Sequence, residues 1–446
     1  MAAPPYISLS NDAFPEYRDG NCIIRIGGGS QLQLHLDHLK RSSERFKMLF
    51  AEGTAPPGDP DKSTSLHTTI HQNANEKDGS PPRKKAKKRD RKHYLILRNA
   101  EDEALDTNPG QLFRSTKEEF KNDDASYFAV NYNALGIGEP KSVRLWRNVF
   151  RSFYNEEMQL DQADLTTLLI DATGMISIAN YLGCMRPVAY RIEHALLSQS
   201  NSLYRSIMNN PVQWMTMAWT LDSKEIYKEC LIHLSGIYDR LTAEQKRIIP
   251  PQILPKIEEK AKVLDGFKTH IDMRLATWIS PDLKPRQGAM GNKAASDHGR
   301  TAYADNIYMW IAQHLFDHFL KFAFQANDNR SPRDGGFTFY HSIFQGGDAY
   351  LTRGDQNRFH QANCPMTPKA QKVLFNAVSD LKVQARELVK PLFANALKLD
   401  RDKEDLRYFT CVPVTDEEAA WIIQAKGDKE NRQLDSSDED DGAESE

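Results

Sequence analysis

Cysteine is scarce in this chain of 446 residues, and the cysteines that are present form no pattern. The five thiols lie far apart without a Cys-x-x-Cys pair: Cys22, Cys184, Cys230, Cys364 and Cys411. This spacing gives no support to a paired zinc motif or to a disulfide framework. We therefore expect reduced thiols, most of them buried.

The sequence also lacks a segment that would direct it into a membrane. Residues 1–6 carry neither the basic region nor the apolar run of a secretory signal, and we find no later segment with the uncharged length that spans a bilayer. The formal net charge is only -3, which implies no overall attraction to lipid or nucleic acid. We expect no membrane partner.

Sequence motifs for common catalytic sites are missing as well. There is no Gly-Lys-Ser/Thr of a P-loop and no Gly-x-Ser-x-Gly elbow. Gly27-Gly28-Gly29 does not continue as a dinucleotide motif, because Leu32 stands where the third glycine is needed. We expect a protein that is not an enzyme and that has no cofactor.

Hydrophobic periodicity predicts a small sheet with helices in the first part of the chain. Alternating apolar residues predict a hairpin over 22–26 and 31–34, and a further strand over 93–97. Helical spacing follows the hairpin and recurs three times over 143–198. Residues 53–92 are polar and contain much proline and glycine, which indicates a disordered insertion.

The rest of the chain is predicted to be almost wholly helical. A helix is expected over 303–324, whereas 327–368 is Gly-rich and predicted to be irregular. The fold class is therefore α+β, a small sheet flanked by helices and followed by a mostly α-helical domain. The predicted regions are an N-terminal tail, the α+β domain, the helical domain and an acidic tail: 1–18, 19–198, 199–425 and 426–446.

One predicted helix of the second domain carries apolar residues at coiled-coil spacing. They are Leu374, Val378, Leu381, Ala385 and Leu388. Because this seam spans only about two heptads, we expect it to pack on its own domain.

Several short motifs in the α+β region follow one another in an order that also occurs in a known domain family. An aspartate precedes the first strand, a histidine ends the hairpin, a leucine precedes a Ser-x-x-Phe turn, and a later helix ends in Phe-Tyr. The residues concerned are Asp19, His35, Leu39, Ser43, Phe46 and Tyr154. In this order they resemble the BTB/POZ domain in its divergent fungal form.

The BTB/POZ resemblance implies protein binding rather than catalysis. It implies an exposed helix and an edge strand that support homodimers or partner docking, and hence a scaffold or adaptor. An adaptor for a cullin-type ubiquitin ligase is the alternative function, although the sequence shows no acid-bearing motif for cullin contact.

A basic run lies in the predicted insertion. Its central residues resemble a nuclear import signal read by importin: Arg83, Lys84, Lys85, Lys87, Lys88 and Arg89. A solvated loop and a nonspecific phosphate contact are the other interpretations. We therefore expect the protein in the nucleus, or in nucleus and cytoplasm. Since the sequence has no folded DNA reader, sequence-specific nucleic-acid binding is not expected.

The acidic tail contains Ser436 and Ser437, each with an acid three residues later. Both resemble sites for an acidophilic kinase, and phosphorylation would strengthen attraction to basic partners such as chromatin proteins. A tail that only aids solubility is the other interpretation.

His314 and His318 have the i, i+4 spacing that can bind zinc from one face of a helix. Both are predicted on or beside an apolar stripe, so packing is the favoured interpretation. A metal-dependent enzyme in the helical half is the third function considered, and bound zinc would be needed to support it.

Overall fold

The computed structural model describes residues 12–27, 30–50, 93–97, 113–114, 141–160, 164–283, 307–325 and 334–420. The chain divides into two compact units, Met1–Ser200 and Asn201–Glu446. The fold is α+β: a small mixed sheet lies in the first unit, and the described part of the second unit is helical.

The sheet of the first unit has the order β1-β2-β4-β3-β5-β6. Its strands are β1 Asp12–Ala13, β2 Glu16–Tyr17, β3 Cys22–Gly27, β4 Ser30–Leu34, β5 His93–Leu97 and β6 Phe113–Arg114. The predicted hairpin is confirmed as β3 and β4, which pair antiparallel with Cys22 opposite Leu34. The predicted third strand is confirmed as β5, which pairs parallel with β3. The register of this pair shifts between Arg25 and Gly27.

Five helices complete the described part of the first unit: α1 Leu36–Ser42, α2 Glu44–Leu49, α3 Lys141–Phe153, α4 Leu165–Leu182 and α5 Met185–Ser198. In two of these helices a side-chain oxygen caps the N-terminus. The Ser43 hydroxyl accepts the Phe46 N–H at α2, and the Asp164 carboxylate accepts the Thr167 N–H at α4. Gly183 ends α4 in the left-handed conformation.

Helix α4 is long and apolar enough, by length and composition, to cross a membrane. The sequence-based expectation that no such segment exists is therefore wrong. In the structure α4 contacts α3 and α5, and its buried Asp171 accepts two hydrogen bonds from Arg144 of α3, at 3.0 and 2.8 Å. Seven residues of α4 are buried, among them Leu168, Met175 and Leu182.

The second unit contains nine described helices. They are α6 Asn201–Asn209, α7 Pro211–Leu221, α8 Lys224–Gly236, α9 Ala243–Ile248, α10 Leu254–Thr277, α11 Ile307–Gln325, α12 Phe337–Gln345, α13 Arg353–Asn363 and α14 Pro368–Val389. Helices α12 and α13 lie where the sequence predicts irregular structure, so that prediction is wrong. The missed signal for α13 is its capping box, in which Thr352 and Asp355 bond to each other's backbone N–H.

The predicted seam on α14 packs within its own unit, as expected. All five of its residues are buried in a cluster that also holds Phe316 of α11 and Tyr340 of α12. Helices α11, α12 and α14 therefore share one core, to which α10 also contributes Leu264, Ile271 and Leu275.

A strap over residues 394–414 follows α14 and lies against α8. Its backbone N–H groups at Lys398 and Leu399 donate to the buried Glu229 carboxylate at 3.0 and 3.1 Å. The Tyr408 hydroxyl lies 2.7 Å from His233 Nδ1. The strap thus returns the chain to α8 after the helices of residues 307–389.

Candidate functional site

The residues of the motif series in the first unit are close together. His35 Nε2 lies 2.9 Å from the Asp19 carboxylate, and the His35 backbone N–H donates to the Tyr154 hydroxyl at 2.8 Å. Tyr17 stacks on Tyr154, with ring centroids 4.7 Å apart. Leu39 and Phe46 are fully buried, and Ser43 caps α2.

Contacts within this group shift the pKa values of two of its members, Asp19 and Tyr154. The hydrogen bond from His35 lowers the pKa of Asp19, and burial raises the pKa of the Tyr154 hydroxyl. Asp19 is therefore an acceptor for His35, while Tyr154 keeps its proton at neutral pH. The arrangement stabilises the end of the hairpin and does not activate Tyr154 as a nucleophile.

The other predicted site residues lie outside the described part of the chain. These are the six basic residues from Arg83 to Arg89 and the two serines Ser436 and Ser437. Their proposed roles stay predictions.

Among the described residues of the second unit, the most exposed large aromatic side chains lie on α11. Its exposed residues fall on one side of the helix, here called the α11 outer face: Ile307, Trp310, His314, His318, Lys321, Phe322 and Gln325. Trp310 is 43% exposed and Phe322 is 66% exposed. Large aromatic side chains that remain in water at such a level mark a candidate binding surface.

The opposite side of α11 holds the helix rigidly in its unit. Met309, Ala312, Phe316 and Leu320 are buried in the shared core. Gln313, also buried, accepts the Ser280 N–H at 3.0 Å and donates to Asp317 at 2.8 Å. The outer face therefore lies opposite the side of α11 that packs into the core.

The two histidines predicted to pack into the core are exposed instead. His314 and His318 belong to the outer face, and the His314 ring lies parallel to the Trp310 ring with centroids 5.7 Å apart. The prediction fails because apolar residues occur on both sides of α11, so the apolar stripe in the sequence does not identify the buried side.

A buried lysine supports the same core from α14. Lys382 Nζ donates to the carbonyls of Gly347, Tyr350 and Leu351 at 2.5, 2.6 and 3.1 Å. It also lies 4.8 Å from the centre of the Tyr350 ring. Burial lowers the pKa of Lys382, while the three carbonyls hold its ammonium in place. The turn after α12 is therefore attached to α14.

Comparison with protein families finds a similarity in this region. Residues 285–391 match the sequence model of the FF domain in its fungal form. The match spans about a quarter of the chain and contains α11 to α14. FF domains are helical modules that mediate protein–protein interactions and are typical of splicing and transcription factors. Comparison with curated proteins and with solved structures found no match.

The BTB/POZ identification is therefore wrong. The family model that matches is the FF domain, and it matches outside the segment that carried the resemblance. The motif residues perform tasks common to many folds: Ser43 caps a helix, Leu39 and Phe46 fill a core, and Asp19 bonds to His35. The BTB-based scaffold function, its homodimer and the cullin-adaptor alternative are withdrawn with it.

Proposed function

We propose that this chain is a binding protein rather than an enzyme, and that its FF-like segment binds a protein partner through the α11 outer face. The match of residues 285–391 to a family of interaction modules carries the proposal. Among the described residues of that segment, the outer face carries the exposed large aromatic side chains, Trp310 and Phe322.

The aromatic residues supply the binding energy in this proposal. Tryptophan and other large aromatic side chains are enriched among the residues that dominate interface energetics. Trp310 and Phe322 lie about 1.7 turns to either side of the middle of α11. A partner that covers both also covers His314 and His318 between them.

Charge selects the chemistry of the partner. The outer face carries the ammonium of Lys321, and none of its seven residues is a carboxylate. The nearest carboxylate on the helix, Asp317, is half-buried and accepts a hydrogen bond from Gln313. The surface therefore fits a partner with an apolar centre and an acidic rim.

The test compares two pairs of exposed apolar residues. Tagged full-length protein is purified from its own cells as wild type, as Trp310→Ala/Phe322→Ala, and as Val263→Ala/Met273→Ala. The control pair is exposed on α10, outside the matched segment. We expect proteins that the wild type retains to be lost from the α11 variant and kept by the control. Equal retention by all three proteins would contradict the proposal.

We further propose that the protein acts in the nucleus and that importin binds the basic run of residues 83–89. The support is the chemistry of the sequence, since clustered lysines and arginines are what an import receptor reads. Replacing Lys84, Lys85, Lys87 and Lys88 by alanine is expected to move a fluorescently tagged protein to the cytoplasm. Unchanged nuclear fluorescence would reject this role.

A further inference from the structure

Two exposed imidazoles on the α11 outer face lie one helical turn apart. His314 and His318 are both exposed at i, i+4. Neither imidazole makes a hydrogen bond or an ion pair with another residue in the part of the chain that the structure describes. Their ring nitrogens are therefore available to a ligand from solvent.

Spacing and chemistry together select the ligand. Residues at i and i+4 rise about 6 Å along the helix and point to the same side. Two histidines in this relation can direct one nitrogen each at a single ion, at the nitrogen–metal distances of about 2.0–2.1 Å that zinc prefers. The parallel contact with Trp310 limits the orientations of the His314 ring, which lowers the entropy lost on binding.

We propose that His314 and His318 form a two-histidine chelating site for a divalent first-row transition-metal ion. Imidazole ligands and the general order of metal affinities place Cu²⁺ above Zn²⁺ at such a site. Among the described residues no group of three or more histidine, cysteine or acidic side chains is placed to hold a metal. The site therefore supplies two protein ligands, and water fills the remaining positions.

The loss of either imidazole removes the chelate. With both present, binding to the second nitrogen is intramolecular, and a linked second contact raises affinity by about 100-fold or more. We therefore expect His314→Ala and His318→Ala each to weaken binding about 100-fold. Because both side chains are exposed, neither variant removes a core contact.

Two control variants distinguish chelation by this pair from metal affinity that depends only on the total number of histidines. His270→Ala removes an exposed histidine of α10 that has Gly266 and Arg274 at the i±4 positions. The double variant His318→Ala/Lys321→His keeps the histidine count but places the pair seven residues apart, about 10 Å along the axis. We expect His270→Ala to bind as the wild type does, and the double variant to bind as weakly as His318→Ala.

The measurement is competition for Cu²⁺, and separately for Zn²⁺, between untagged full-length protein and a chromophoric chelator. Electron paramagnetic resonance of the Cu²⁺ complex reports the number of nitrogen ligands, with two expected. Circular dichroism confirms that each variant is folded. Equal affinity in the wild type and in both single-histidine variants would overturn the proposal, as would full affinity in the spaced double variant.

Discussion

Acid is expected to destabilise the second unit through one buried histidine. The His233 imidazole is fully buried on α8, with Nδ1 at 2.7 Å from the Tyr408 hydroxyl of the strap. Its Nε2 has no hydrogen-bond partner among the described residues. Burial lowers the pKa of His233 from an ordinary 6.5 to about 4, because a charged ring would be uncompensated there.

The magnitude follows from the two pKa values. The unfolded chain takes up a proton near pH 6.5 and the folded chain only near pH 4. The contribution of His233 to the free energy of unfolding is therefore complete above about pH 6.5, falls as the pH drops through this window, and levels off below about pH 4. At about 1.4 kcal/mol per pH unit the loss amounts to about 3 kcal/mol.

The assay compares the wild type with His233→Asn, which keeps a neutral polar group but cannot titrate. Hydrogen exchange of the α8 amides is followed by mass spectrometry in urea, because two units need not unfold together. We expect the stability difference between the two proteins to change by about 3 kcal/mol between pH 7.5 and pH 4 in favour of the variant. Parallel pH curves for the two proteins would refute this reasoning.

Three further predictions concern other contacts. Gly236→Ala would place a Cβ against the Phe409 carbonyl oxygen, so we expect it to destabilise the second unit by about 1–3 kcal/mol. A Cβ at Gly266 would have no atom within 4 Å, so Gly266→Ala is expected to stabilise the same unit by up to about 1 kcal/mol. Urea titration measures both changes in the free energy of unfolding. Lys382→Met leaves three carbonyls without their donor, so we expect the free energy of unfolding to fall by about 2–4 kcal/mol. For Lys390→Met, at an exposed position, we expect a fall of less than about 0.5 kcal/mol. Tyr154→Phe removes the acceptor of the His35 N–H, so we expect it to lower the free energy of unfolding of the first unit by about 1–2 kcal/mol. Tyr190→Phe, at an exposed position, is the control and is expected to leave this free energy almost unchanged. Chemical denaturation measures both.

The sequence predicted elements whose pattern depends on local periodicity. Strands β3, β4 and β5 and the α14 seam follow from alternation and heptad spacing, since burial of one face imposes that period. Helix α11 was also expected, within about four residues at its start. Helices α12 and α13 were missed because the glycines around them outweighed the capping signal at Thr352.

The candidate site could not be predicted from hydrophobic periodicity, because periodicity does not show which side of an apolar helix is buried. Trp310 and Phe322 look like core residues in a sequence, and only the packing of α11 shows them exposed. The same ambiguity placed His314 on the wrong side of the helix. Family assignment failed for a different reason: the motif residues from Asp19 to Tyr154 satisfy caps and core positions that many folds share.

The central claim is that the α11 outer face contacts a partner protein. To test it, a photo-crosslinking amino acid is introduced at position 310, and in a control protein at position 263. Cells that express each protein are then irradiated. We expect a discrete cross-linked protein from position 310 that is absent from position 263 and is lost when Phe322 is also replaced by alanine. Cross-links from position 263 alone, or the same products from both positions, would contradict it.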